Sequence, residues 1–177
     1  AVGFEALTSD WLFTPRQVGA DPALDSDGPT SDPILLASDE SNLTIDAGLY
    51  MLASITGVKF EDLNGDGAQN AAEPGIDGVT IELLDALAQT VATTSTDANG
   101  SFWFTDLTPG VYTVREIVPD GSEATTPTER TVTLQSGQEL DGQNFGNRTV
   151  PVPSAVSLLA IGLVCIGYQR YMRTRTA

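Results

Sequence analysis

The sequence predicts an all-β sandwich of about seven strands, on three observations. From Gly57 to Arg148, short runs of β-branched and aromatic residues recur roughly every ten positions. Turn formers separate them: Asp97-Ala-Asn-Gly, Thr108-Pro-Gly, Pro119-Asp-Gly and Ser136-Gly. No helical period is sustained before the C-terminal tail. Leu83 to Ala88 comes nearest, but it is too short to stand alone, and Thr80-Ile-Glu-Leu alternates as a strand does.

The first element is a set of β-like pieces in residues 1–50: Trp11 to Thr14, Pro33 to Leu36, and Leu43 to Tyr50. They are too few for a sandwich of their own and read as the end of a preceding module. The chain begins at Ala1 inside a patterned stretch, so it is read as a fragment or processed form of a longer protein. The absence of a signal peptide then says nothing about secretion. Asp25 and Asp27 lie in an acidic turn segment, but no Glu follows in register for an ion-binding loop. Residues 51–56 contain no Pro-rich or Gly-rich run and are expected to connect two closely spaced modules.

The main module spans residues 57–148. Its strands are expected at Gly57–Glu61, Gly78–Leu84, Thr90–Thr96, Ser101–Phe104, Val111–Val118, Arg130–Leu134 and Gln143–Gly146. Alternation assigns the core to Phe60, Val79, Ile81, Leu83, Phe102, Phe104, Leu107, Tyr112, Val114, Ile117, Val132, Leu134 and Phe145, with Trp103 on the opposite face.

Between the first two strands lies Asp62-Leu-Asn-Gly-Asp-Gly-Ala-Gln-Asn-Ala-Ala-Glu73. As a twelve-residue loop it places Asp62, Asn64 and Asp66 at positions 1, 3 and 5, Gly67 at 6, Ala68 at 7, Asn70 at 9 and Glu73 at 12. This spacing is a calcium signature, because a hard cation wants six to eight oxygens. The three Asp/Asn side chains converge on one side of a turn that Gly67 permits. Ala68 offers its carbonyl, Asn70 acts directly or through a water, and Glu73 closes the shell. Pro74-Gly75 opposes the exit helix of an EF-hand, so the loop sits in a β context. Asp77 and Asp97 are weaker candidates for a second ion.

Composition narrows the chemistry. The formal charge is −16, and no acid lies after residue 153, whereas Arg170, Arg173 and Arg175 close the tail. Such an acidic surface repels nucleic acid and favours calcium. There is no His, and Cys165 is the only Cys. Intrachain disulfides, Cys/His zinc sites, and Ser-His-Asp or Cys-His catalysis are therefore excluded. The remaining carboxylates have no recognisable catalytic setting, and the chain is not expected to be an enzyme.

Residues 149–177 differ in kind. A charge-free apolar stretch follows Val150-Pro-Val-Pro, and three Arg follow that stretch. A single transmembrane helix is expected over 155–168, with a basic end at 169–177 on the cytoplasmic side.

Several motifs then point to a family. Gly57-Val-Lys-Phe-Glu-Asp-Leu-Asn-Gly-Asp-Gly, Glu73-Pro-Gly-Ile-Asp-Gly-Val-Thr-Ile-Glu-Leu, Thr96-Asp-Ala-Asn-Gly-Ser-Phe-Trp-Phe, Pro109-Gly-Val-Tyr-Thr-Val-Arg-Glu and Asn144-Phe-Gly-Asn resemble the B-type repeat of the serine–aspartate repeat surface adhesins. That repeat is similar to the wider collagen-adhesin B-type group. The resemblance implies an immunoglobulin-like or prealbumin-like Greek-key sandwich serving as an extracellular, calcium-stiffened stalk module beside neighbouring repeats. Its adhesion ligand is not implied. Related pilin-type domains cross-link a Lys to an Asn with the help of a Glu, for which Lys59, Asn144 and Glu116 are the candidates. The parity of Phe60, taken as inward, places Lys59 on the opposite face, so no cross-link is expected and Glu116 is expected to face solvent or pair with an Arg. The tail resembles the PEP-CTERM signals of exosortase systems, with Val152 where their Glu stands. This implies a sorting enzyme as a partner, with plain anchoring as the competitor.

The leading functional reading is a calcium-stabilised adhesive or structural module at the cell surface or in an extracellular matrix. The alternatives are a spacer and anchor of a large extracellular enzyme, or a dockerin-like scaffold part, against which Pro74-Gly75 speaks.

Overall fold

The computed structural model describes residues 1–6, 8–16 and 26–150. The sandwich is built on β3 (Ala53–Glu61). One edge of β3 pairs antiparallel with β6 (Ser101–Leu107). The other carries two parallel partners in succession, β10 (Glu139–Leu140) and then β11 (Phe145–Thr149). β8 (Ser122–Ala124) completes this sheet by pairing antiparallel with β11. The facing sheet runs β5 (Thr90–Ser95), β4 (Thr80–Leu84), β7 (Gly110–Glu116), β9 (Glu129–Leu134), with antiparallel neighbours throughout.

The seven expected strands are present, joined by the short β8 and β10. β3 starts at Ala53, so residues 53–56 belong to its ladder rather than to a connector. β4 ends at Leu84, and Asp85 turns the chain by accepting the N–H groups of Leu87 and Gln89. The helical character of Leu83 to Ala88 is thus spent in a hairpin turn.

The core lies between the two inner faces. Ile55, Ile81, Leu83, Val114 and Phe145 are fully enclosed, with Phe102 and Phe104 packed edge to face at 6.3 Å between ring centroids. Val79 and Leu134 are buried as expected, while Leu107, Tyr112 and Val132 pack half-buried at the margin. Phe60 is buried but lies outside this cluster. Trp103 is 53% exposed, in line with its alternation against the two Phe. Ile117 departs from expectation at 45% exposed. β7 stops at Glu116, and the inward parity of that strand passes through Tyr112, Val114 and Glu116.

In the preceding segment, β1 (Trp11–Phe13) and β2 (Leu49–Met51) form a two-stranded antiparallel pair. The expected pieces at 33–36 and 43–48 form no strand, and Leu35 and Leu43 are strongly exposed. Among the described residues, no helix is long and apolar enough to cross a membrane. The expected helix at 155–168, its basic end and Asp25 lie outside the described residues.

Candidate functional site

The loop from Asp62 to Glu73 leaves the end of β3 and is closed at its base by backbone bonds. Glu61 N–H donates to Pro74 O at 2.9 Å, and Phe60 and Gly75 form a bridge. Asp62 N–H donates to Asn147 O at 2.8 Å, which ties the loop to β11. No helix flanks the loop on either side.

Within the loop, backbone N–H groups fix the oxygen-bearing side chains. Asp62 is buried and accepts from Gly65 N–H at 2.7 Å and Gly67 N–H at 2.8 Å. Asn64 Oδ1 accepts from Asp66 N–H, and Asp66 Oδ1 from Ala68 N–H. Glu73, also buried, accepts from Leu63 N–H on one oxygen and Asn70 N–H on the other. The Asn70 amide reaches Asp66 Oδ2 and Ala68 O, both at 3.1 Å. Gly65 and Gly67 both have a φ of +76°, the left-handed conformation that lets the loop curl back on itself.

Among the described residues there is no cluster of three or more His, Cys, Asp or Glu side chains in metal-holding range. The loop instead interleaves carboxylates with the carboxamides of Asn64 and Asn70. An ionised carboxylate has about four lone-pair sites, and those of Asp62, Asp66 and Glu73 are only partly used by the backbone. The donor set is all oxygen, which fits calcium or another hard cation. Asp97 is committed to its own turn by the N–H groups of Asn99 and Ser101, and Asp77 is exposed.

The same hydrogen bonds set a pH dependence. Asp62 is held below its ordinary value near 3.8, first by the nearby Thr125 hydroxyl and then by the N–H groups of Gly67, Gly65 and Asp66, against the opposing effect of burial. Thr125 Oγ1 makes no hydrogen bond of regular geometry, so the backbone donors are the firmer cause. Asp66 is likewise lowered, by Ala68 N–H and the amides of Asn70 and Asn64. A carboxylate lowered on folding stabilises the protein fully above its unfolded value and loses that contribution as pH falls through the folded one. The calcium-free protein is therefore expected to keep a level melting temperature down to about pH 4 and then to lose stability as acid is added. Melting curves from pH 6 to 2 check this, and Asp62→Asn should flatten the acid limb.

A second constellation lies inside the sandwich, beside the loop. Lys59 and Glu116 are buried with side chains fully enclosed, and Lys59 Nζ lies 3.1 Å from Glu116 Oε1. Asn147, 1% exposed, donates from Nδ2 to that same oxygen at 2.5 Å. Lys59 Nζ also donates to Phe145 O at 3.2 Å. Burial pushes the Lys59 amine down from its ordinary value, while the charge and hydrogen bond of Glu116 oppose the shift.

This corrects three expectations. Lys59 points inward, sharing the parity of Ala53, Ile55 and Gly57. Phe60 is buried on the other face, where its ring lies against Gly146, so both faces of β3 are covered at this point. Glu116 faces the core, and the Arg beside it, Arg115, pairs instead with Glu82 at 2.6 Å. Asn144 is not the third member. Its Oδ1 accepts from Val58 N–H at the strand edge, and Asn147 occupies the buried position.

The SdrD B-like domain family model matches residues 53–154. Serine-aspartate repeat-containing protein D of Staphylococcus aureus (strain Newman) is 37% identical over 152 residues, 85% of this chain and 11% of the relative. Serine-aspartate repeat-containing protein F of Staphylococcus epidermidis is 38% identical over 145 residues, 77% of this chain and 8% of the relative. The chain thus spans roughly a tenth of the length of these curated relatives. Among solved structures, the minor pilin GBS52 of Streptococcus agalactiae aligns with a TM-score of 0.45 and 17% identity, over 68% of this chain and 60% of that one. Likenesses this loose carry no structural argument. The family match covers more than half of the chain and includes the whole sandwich, with both the oxygen-lined loop and the buried trio inside it. The chain belongs to the SdrD B-like domain family.

Proposed function

We propose that this chain is a non-catalytic, calcium-stabilised structural and adhesive module of a bacterial cell-surface or secreted matrix protein, working in series with neighbouring repeats. The observation that carries this reading is the loop of Asp62, Asn64, Asp66, Ala68, Asn70 and Glu73, whose backbone already holds the oxygen donors in one curled turn. Calcium would be held by those six residues and would supply the positive charge that their carboxylates lack. An ion that binds only the folded state adds RT ln(1 + [L]/Kd), about 2.7 kcal/mol at a hundredfold excess over Kd. Added calcium is therefore expected to raise the melting temperature and chelator to reverse the gain. Asp62→Ala with Glu73→Ala should remove the response. A melting curve indifferent to calcium would refute the reading.

The tail extends the same proposal. Residues 155–168 would cross the membrane with the Arg-rich end in the cytoplasm, and Val150-Pro-Val-Pro would mark the place where a sorting enzyme of the exosortase type cuts. The span is short and diluted by Ser and Gly, which suits a transient anchor. Mature protein from native cells is expected to end near the Pro pair. Recovery from membranes of chains that still end at Ala177 would favour permanent anchoring.

A further inference from the structure

The outer face of the sheet built on β3 carries a groove of about 380 Å³. Strand alternation makes it. Ile55, Gly57 and Lys59 point into the sandwich, so Thr56 and Val58 point out, and the register sets Trp103 of β6 beside Thr56. The 53% exposed Trp103 forms one wall, Thr56 and Val58 the floor, and Asp141 the other wall. Glu139, paired with Ser54 two residues before Asp141, has the same outward parity. Among the described residues, neither carboxylate makes an ion pair. Four of the five described Arg and Lys side chains pair with other carboxylates. The fifth, Arg130, lies over the core-facing Phe145 ring and donates to Asn144 O.

We propose that this groove docks an Arg or Lys side chain presented by an extended basic segment of a partner protein. The chemistry of the walls selects that occupant. An indole face attracts a guanidinium or ammonium held within about 6 Å of its ring centre. Carboxylates take the N–H groups of the same cation in charge-assisted hydrogen bonds. The walls stand two strand spacings apart, about 10 Å, so one cationic head can reach both while its aliphatic stem lies along Val58. The field of the whole chain points the same way. At −16 it draws a basic partner and repels a second copy of itself. β6 pairs with β3 alone among the described strands, so it lies at the sheet edge, where an extended segment can add backbone hydrogen bonds beside Trp103. No lining residue belongs to the loop from Asp62 to Glu73, so docking is expected with or without calcium.

NMR titration of the isotope-labelled full chain, kept in solution by a zwitterionic detergent at physiological ionic strength, tests the proposal. The probe is a short unstructured peptide with Arg at alternate positions, and its control carries Gln in place of each Arg. The Arg peptide is expected to shift the Trp103 indole N–H and the Thr56 and Val58 amides while leaving the Trp11 indole in place. The Gln peptide should shift none of them. Trp103→Ala should weaken binding about two- to fivefold, followed at the Thr56 and Val58 amides. Glu139→Gln with Asp141→Asn should weaken it by a similar factor, about two- to fivefold, and reduce its dependence on salt. These variants change exposed side chains, and a dispersed amide spectrum confirms that each is folded. Equal shifts from both peptides, or wild-type binding by Trp103→Ala, would overturn the proposal. Shifts at the same residues on concentrating the chain alone would assign the face to a second copy. A response to a neutral glucose oligomer but not to the Arg peptide would assign it to a glycan, and either result overturns the proposal.

Discussion

Glu116→Ala is expected to lower the stability of the sandwich by about 3–5 kcal/mol, the usual cost of leaving one member of a buried ion pair uncompensated. The Lys59 ammonium would keep only the Phe145 carbonyl at 3.2 Å, and the Asn147 amide would lose its acceptor. Urea unfolding at pH 7 measures the loss. A double replacement by apolar residues, Lys59→Met with Glu116→Leu, tests this account of the site. An ion pair that is only an ion pair tolerates such replacement and sometimes gains from it. The double variant is therefore expected to unfold closer to the wild type than Glu116→Ala does, and a loss as large as that of the single variant would show that an uncompensated charge is not the cause.

Gly100→Ala is the second large effect. Gly100 closes the turn before β6 with a φ of +77°. A Cβ there would lie 2.0 Å from the carbonyl oxygen of Lys59 and 2.8 Å from the Cα of Gly75, both backbone atoms that cannot swing aside. The left-handed backbone costs a residue with a Cβ about 1–2 kcal/mol, and forcing atoms into a packed site adds about 1–3 kcal/mol. The expected destabilisation is thus about 2–5 kcal/mol, read from the unfolding midpoint. Gly121→Ala is the control. Its φ is +76°, but nothing lies within 4 Å of the added carbon, so only the conformational cost should appear. Equal losses at the two positions would show that the contact between Gly75 and Gly100 is unimportant.

The strands were legible in the sequence because their inward positions recur at every second residue, as in Phe102 and Phe104 or Tyr112 and Val114. β8 and β10 were not, since three and two residues with no apolar alternation leave no period to read. The loop was legible as a spacing of oxygen side chains, and its hydrogen bonds keep that register. The buried trio was misread for a specific reason. Treating β3 as covered on one face forces a choice between Lys59 and Phe60, whereas the strand is covered on both where β11 and the turn at Gly75 and Gly100 close over it. Two signals stood against the reading. Lys59 shares its parity with Ile55 and Gly57, and Glu116 shares its parity with Tyr112 and Val114. A carboxylate and an amine on the core faces of opposing strands require each other, and Asn147, two residues beyond Phe145, follows by the same count of two.

β3 and β11, the first and last strands of the sandwich, are parallel neighbours, with Lys59 opposite Phe145 and Glu61 opposite Asn147. The polypeptide therefore enters at one pole and departs at the other, so tension on the termini runs along the strands and loads this seam in shear. Its ladder bonds would have to yield together rather than peel one after another. The buried Lys59, Glu116 and Asn147 side chains lie beside this seam, and Lys59 Nζ reaches the Phe145 carbonyl across it. A string of such units would hold its length under a tug until one seam gave way as a whole.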